Sequence, residues 1–273
     1  MTAVDQKTVE VGPPGSTGTW TWSGIPYWLI GIFLFIALIG FQILTKERWR
    51  EGFDFIVGGL RLTLLVTLGG FILAMVWGLA IGLARMSGNT VVKNLAMFYI
   101  ELIRGMPVIV TILIVTIVAF GELFEVLGNT FGEGIEQFRP SFAVRGTIAL
   151  GIIYAAFIAE VFRAGIQSIS IGQKEAGASI GLTNRQVMRK VVFPQAIRNI
   201  MPALGNDLIA LLKDSALVSI IAVRELTQMT RLWTGRSFAF IEGYLIMTAF
   251  YLVLTVSLSL LLRWYEKRIQ VPG

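Results

Sequence analysis

A chain of 273 residues that is 55% hydrophobic and only 15% charged lies far below the roughly 25% charge usual for soluble domains. Neither cysteine nor histidine occurs, which excludes disulfides, thiol nucleophiles, most zinc sites and any Ser-His-Asp machinery. The formal charge of +6 sits among apolar runs, where excess Lys and Arg mark cytoplasmic loops rather than affinity for nucleic acid.

Residues 1–26 include VGPPGSTGTWTWSG, a Pro/Gly/Ser/Thr-rich tail expected to be poorly ordered. The first apolar run, Tyr27 to Leu44, is followed by no small-residue cleavage site and preceded by no basic segment. It therefore reads as an uncleaved span, with Trp20, Trp22 and Trp28 suited to an interfacial belt. A second run covers about Ile56 to Ala84. At 1.5 Å per residue it would measure about 43 Å against a hydrocarbon core of about 30 Å, so it tilts or protrudes. The third, about Leu95 to Phe120, is broken near RGMP. A fourth covers about Phe142 to Ala164, a fifth about Ile197 to Val223, and a sixth about Phe240 to Leu262 before RWYEKR. The expected fold is all-α, a polytopic bundle of about six transmembrane helices, because lipid tolerates no unpaired backbone groups.

Orientation follows from Lys/Arg placement. With the 165–196 loop inside, Lys7, Arg85, Lys93, Arg163, Lys174, Arg185, Arg189, Lys190, Arg198, Arg263, Lys267 and Arg268 also fall inside. Lys46, Arg48, Arg50, Arg139, Arg224, Arg231 and Arg236 fall outside. The bias is modest, and TKERWRE on the outer side runs against it. Trp264 and Tyr265, with Arg263 and Lys267, suit anchors at the inner interface.

Between the fourth and fifth runs lies QKEAGASIGLTNRQVMRKVVFPQA, residues 173–196. Ser170–Gln173 (SIGQ) and Thr183–Gln186 (TNRQ) fit the capping-box pattern, Gly181 suits a helix end, and Pro194 suits a stop. Two short helices with a turn result. In the second, Val187, Met188, Val191 and Val192 share one face, with Arg185 and Arg189 opposite. Residue chemistry alone leaves two readings open: a plug for a partner, or a helix pair lying on lipid headgroups.

EAGASIG followed by VVFPQA resembles the EAA loop of permease subunits in ABC importers. Glu175, Ala176, Gly181 and Pro194 match that motif, while Gly177 stands where the family more often has alanine. GLRLTLLVT (59–67), YIELIRGMPVIV (99–110), AAFIAEVFRAGIQSISIGQKEAG (155–177) and LGNDLIALLKDSALVSIIAV (204–223) look like the polar amino-acid branch of these permeases, in order. The resemblance implies a type I importer transmembrane domain, with residues 56–262 as the core. The 1–26 tail and an extra N-terminal helix at 27–44 lie outside that core, and 263–273 forms a cytoplasmic tail. It implies that Gln173, Lys174, Glu175, Ala176, Gly177, Gly181 and Leu182 couple the chain to a separate ATPase. The partners implied are ABC ATPase subunits holding ATP and magnesium, a second permease subunit (identical or different), an extracytoplasmic amino-acid-binding protein and membrane lipid. No cofactor is expected in this chain, nor any enzymatic step. No GxxxxGK[ST] run occurs, so ATP hydrolysis by that route falls to another chain. The implied location is a prokaryotic plasma (inner) membrane.

Charged residues inside apolar runs are costly and default to functional candidates. Glu101 with Arg104 and Glu160 with Arg163 form Glu-x-x-Arg pairs, read either as interhelical locks or as parts of an inner gate. Asn206 and Asp207 fall near half depth of the fifth run, with Lys213, Asp214 and Ser215 further out. These five are candidates for a substrate path, against the plainer reading that Lys213 and Asp214 hold a partly broken span. Asp207 and Lys213 lie about 9 Å apart along the axis and on differing faces, too far to grip one small ligand together. An ion- or proton-coupled secondary transporter using Asp207 or Glu160 is the alternative, and a scaffold without transport a second.

Overall fold

The computed structural model describes residues 27–132 and 139–269, the side chains of Lys267 and Ile269 excepted. The 1–26 tail, with Lys7, Trp20 and Trp22, lies outside the described residues. In chain order the helices are α1 (Tyr27–Thr45), α2 (Glu47–Ile56), α3 (Leu60–Arg85), α4 (Thr90–Gly105), α5 (Val108–Leu113), α6 (Phe120–Phe131) and α7 (Phe142–Gln167). Then follow α8 (Ile171–Ser179), α9 (Asn184–Val187), α10 (Phe193–Asp214), α11 (Leu226–Ser237) and α12 (Phe240–Ile269). No strand occurs among the described residues.

Among the described residues five helical segments are long and apolar enough to cross a membrane: 27–45, 47–85, 108–131, 142–167 and 240–266. The expected fifth span, around 197–223, is present as α10 but carries Arg198, Asp207, Lys213 and Asp214. With Gln195, Asn199 and Asn206 also along it, α10 is not among the helices apolar enough to qualify. The third crossing also shifts. Met106 precedes Pro107 and takes an extended conformation (φ −98°, ψ 144°), ending α4 at Gly105. The crossing proper is then α5, a wide π-helical segment at Ile114–Ala119, and α6.

The centre is a close pair, α3 and α7. Gly69 and Gly70 meet Thr147 and Leu150, Gly78 meets Ala155 and Ile158, and Gly82 meets Ala159 and Phe162. Contacts ascend together along both helices, so the two run parallel. A Cβ on Gly78 would lie 2.8 Å from Ile158 Cγ2 and 3.0 Å from the Ala155 carbonyl oxygen. Such small-residue stripes let helices approach closely where lipid supplies no hydrophobic drive. α10 and the 3₁₀ turn that follows it at Ser215–Ile221 run antiparallel to α7, Gly165 facing Ile200 and Gly146 facing Val218.

A second cluster gathers the C-terminal half of α1, the helices α2 and α11 and the N-terminal part of α12 around Ile39, Trp49, Ile56, Trp233 and Ile246. Here the arginines of TKERWRE, which ran against the charge expectation, find local partners. Arg50 donates to the Leu44 carbonyl at the end of α1, and Arg48 to the Ser237 carbonyl at the end of α11, both at 2.8 Å. Helix C-termini present unpaired carbonyls and partial negative charge, which a cation satisfies. The break in the charge rule is therefore a pair of helix caps.

Candidate functional site

The 165–196 loop folds as an exposed helical hairpin. α8 ends in a full glycine cap: Leu182 N–H donates to the Gly177 carbonyl and Gly181 N–H to Ala178, with Gly181 at φ +83°. Thr183 and Gln186 form the expected capping box at the start of α9. The box expected at Ser170 is not formed, because its side chain makes no cap hydrogen bond. Gln173, Glu175, Ala176 and Gly181 are exposed, Lys174 and Leu182 half-buried, and Gly177 is buried against Val187 and Val191.

Pro194 does not stop the second helix. Residues 188–192 widen into a π-helical segment that leads straight into α10, with Pro194 in its first turn. Wider bonding accommodates a ring that would otherwise clash with the carbonyl four residues back. The side-chain amide of Gln195 donates to the Val191 carbonyl at 2.9 Å. This widening also shifts phase: Val187 and Val192 are buried as expected, but Met188 turns outward, 40% exposed. One helical path therefore joins the hairpin at residue 184 to the polar stretch ending at Asp214.

Along α10, Asn206 and Lys213 are exposed while Asp207 and Asp214 are half-buried. The structure brings both carboxylates to Tyr154 of α7: its hydroxyl donates to Asp214 at 2.8 Å and lies within electrostatic reach of Asp207. Asp207 Oδ2 is buried and has no hydrogen-bond partner. Ser215 is buried and donates to the Leu212 carbonyl, marking the change to a tighter 3₁₀ turn at Ser215–Ile221.

Of the two Glu-x-x-Arg pairs, one forms. Arg163 binds Glu160 Oε2 through Nε and Nη2, at 3.0 and 2.8 Å, and also reaches Gln167. Glu160 has a second cation that sequence reading missed, Arg85 at the end of α3. Nothing local signals that partner, since it arrives from 75 residues away. Glu101 and Arg104 do not pair. Arg104 lies over the Phe157 ring at 5.6 Å, and Glu101 is within electrostatic reach of Arg85. The C-terminal ends of α3, α4 and α7 thus share one charge cluster.

Glu225 was also missed. It is fully buried outside the apolar spans and caps α11, accepting from Thr227 N–H (2.9 Å), Gln228 N–H (2.8 Å) and the Tyr251 hydroxyl (3.0 Å). Burial raises its carboxyl above the ordinary range, against the pull of those donors. Glu is outside the usual cap residues, so no local pattern marks it. No group of three or more candidate metal ligands occurs among the described residues.

Residues 70–271 match the family described as binding-protein-dependent transport system inner membrane component. The chain belongs to that family. Among relatives of this inner membrane component is the probable glutamine ABC transporter permease protein GlnM of Bacillus subtilis (strain 168). It is 34% identical over 220 residues, 81% of this chain and 95% of the relative. The glutamine transport system permease protein GlnP of Escherichia coli (strain K12) is 31% identical, covering 79% of this chain and 93% of its own. A crystal structure of an amino acid ABC transporter with histidines superposes with a TM-score of 0.68 at 37% identity. It covers 79% of this chain and 94% of that one. The family match begins at Gly70, so α1 and α2 lie outside it.

Proposed function

We propose that this chain is the permease subunit of an ATP-driven amino-acid importer, and that the hairpin at 172–192 receives the motion of a separate ATPase. The carrying observation is mechanical: an exposed, doubly capped hairpin continues without a break into the helix that bears Asp207. A force applied at α8 or α9 has a stiff route to the middle of the bundle. Gln173, Lys174, Glu175, Ala176, Gly177, Gly181 and Leu182 form the docking element, with Gly177 seating α8 on α9 and its π-helical continuation. ATP and magnesium belong to the ATPase, and an extracytoplasmic binding protein delivers the substrate. A second permease subunit, identical or different, completes the path.

Asp207 is the substrate contact in this reading. A half-buried carboxylate oxygen without a partner is costly unless a donor arrives, and the ammonium of an amino acid is such a donor. Asn206 lies beside it in the path. Asp214 is held by Tyr154 and serves position rather than recognition, while Lys213 and Ser215 contribute to the local bend. The Arg85–Glu160–Arg163 cluster and its neighbours Glu101 and Arg104 close the inner end. Alternating access is a two-state equilibrium that nucleotide and binding protein each bias. None of the relatives reported above supports the ion-coupled alternative.

The test is Glu175→Lys in the complete transporter. The variant should reach the membrane in normal amount, lose ATPase during mild-detergent purification, and lose ATP-dependent uptake. Normal copurification together with normal uptake would remove the docking role.

A further inference from the structure

The outer half of α1 is packed, and the inner half is not. Ile39 is its one buried residue, held by the cluster that gathers α2, α11 and α12. Toward its start, α1 stands off from α12 and leaves a cleft of about 350 Å³. Leu29, Ile32, Phe33 and Ile36 line one wall, Val256 and Leu260 the other. From Leu29 to Phe41 the helix carries no polar side chain, and Val256 and Leu260 opposite are apolar too, so the cleft walls offer nothing to a polar ligand.

What lies at its mouth is different. α1 is antiparallel to α12, and both helices meet the inner interface here. Tyr27 and Trp28 of α1 and Trp264 and Tyr265 of α12 are all exposed, as side chains at headgroup level are. Val256, Leu260, Arg263 and Trp264 follow helical spacing on one face of α12. Arg263 therefore sits one turn, about 5 Å, beyond the cleft wall. Arg268 stacks over Trp264 at 4.2 Å. A guanidinium held against a ring keeps its N–H donors, a fork that matches phosphate oxygens. Glu266 is the acid among them, half-buried, so cations hold the exposed rim.

We propose that this cleft is a phospholipid site: an acyl chain fills the gap between α1 and α12, and Arg263 and Arg268 take an anionic headgroup. The apolar walls, the aromatic mouth and the cationic rim match the three zones of one lipid molecule in its ordinary orientation. Such a lipid completes the packing of a helix that lies outside the family match, tying α1 to the bundle at the end where protein contacts are missing. The site is independent of the transport reading, since it needs neither ATPase nor substrate.

The full chain, extracted from vesicles of equal phosphatidylglycerol and phosphatidylcholine, should retain phosphatidylglycerol preferentially in native mass spectrometry. Arg263→Gln and Arg268→Gln should each lower that preference, roughly fivefold for each charge lost near the surface. Ile32→Trp, which fills the cleft, should abolish retention of both lipids. Equal retention by the unaltered chain, or a preference untouched by the double arginine substitution, would overturn the proposal. Both arginines are exposed, so these two variants answer even if Ile32→Trp fails to fold. Because the chain has no cysteine, Phe33→Cys supplies a unique thiol. Disulfide-linked dimers formed through it in membranes would place a second copy in the cleft and exclude the lipid.

Discussion

The α3–α7 pair and the hairpin of α8 and α9 are built on opposite plans. In the pair, glycines and alanines fit against each other so closely that a methyl group has nowhere to go. In the hairpin nearly every side chain is exposed, and caps and one glycine at positive φ set the shape. The pair is specified by packing, and the hairpin by backbone hydrogen bonding. A region held by caps leaves its side chains free for another protein; a region held by packing does not.

The sharpest way to break that contrast is one substitution made in both places. Gly78→Leu forces a side chain into Ile158 and the Ala155 carbonyl, an overpacking typically costing about 1–3 kcal/mol. Monodisperse protein on size exclusion should largely disappear. A Cβ on Gly172 in α8 meets nothing within 4 Å, so Gly172→Leu should leave the yield intact. Equal yields would show that the pair is not the tight element described here.

Next in size is Gly181→Val. A branched residue at φ +83° costs about 1–2 kcal/mol, enough to undo the end of α8 while the bundle survives. Expected are normal membrane levels with uptake and ATPase retention both reduced several-fold. Loss of the protein itself would mean the hairpin supports the fold.

A smaller and more selective effect is expected from Asp207→Asn. The change keeps the size and removes the charge, so assembly should be normal. The KM for uptake should rise roughly ten- to a hundredfold, in line with the ~1.5–3 kcal/mol of a hydrogen bond to a charged group. Unchanged kinetics across several amino acids would take Asp207 out of the path.

Local chemistry explains what could be read in advance. Gly181 and the Thr183–Gln186 box were legible because a turn and a cap depend on neighbouring residues alone. The spans at 27–45 and 142–167 were legible because length and apolarity decide them. Pro194 misled because its effect depends on whether the backbone can widen, which the π-helical segment allows. Arg85 as the second partner of Glu160 and the arginine caps at Leu44 and Ser237 are properties of helices meeting, invisible to spacing. Glu101 and Arg104 had the right spacing, but the Phe157 ring from α7 offers the guanidinium another place.

Glu225 carries the smallest effect and tests the contrast from the side of the outer layer. Its carboxyl is buried, so its ionisation is resisted in the fold and not in the unfolded chain, where Glu titrates near about 4.3. A carboxyl raised in the fold contributes stability that is complete below that unfolded value. The contribution is lost as pH climbs through the folded one. Tyr251 and the two N–H donors reduce the penalty but do not remove it. Glu225→Gln keeps an acceptor for the N–H groups of α11 and cannot ionise. Melting curves of the detergent-solubilised chain between pH 5 and pH 8 should therefore show the parent falling relative to the variant as pH rises, by a few degrees. Parallel curves would mean the three donors fully compensate burial, and that the outer layer, like the hairpin, is governed by hydrogen bonding more than by packing.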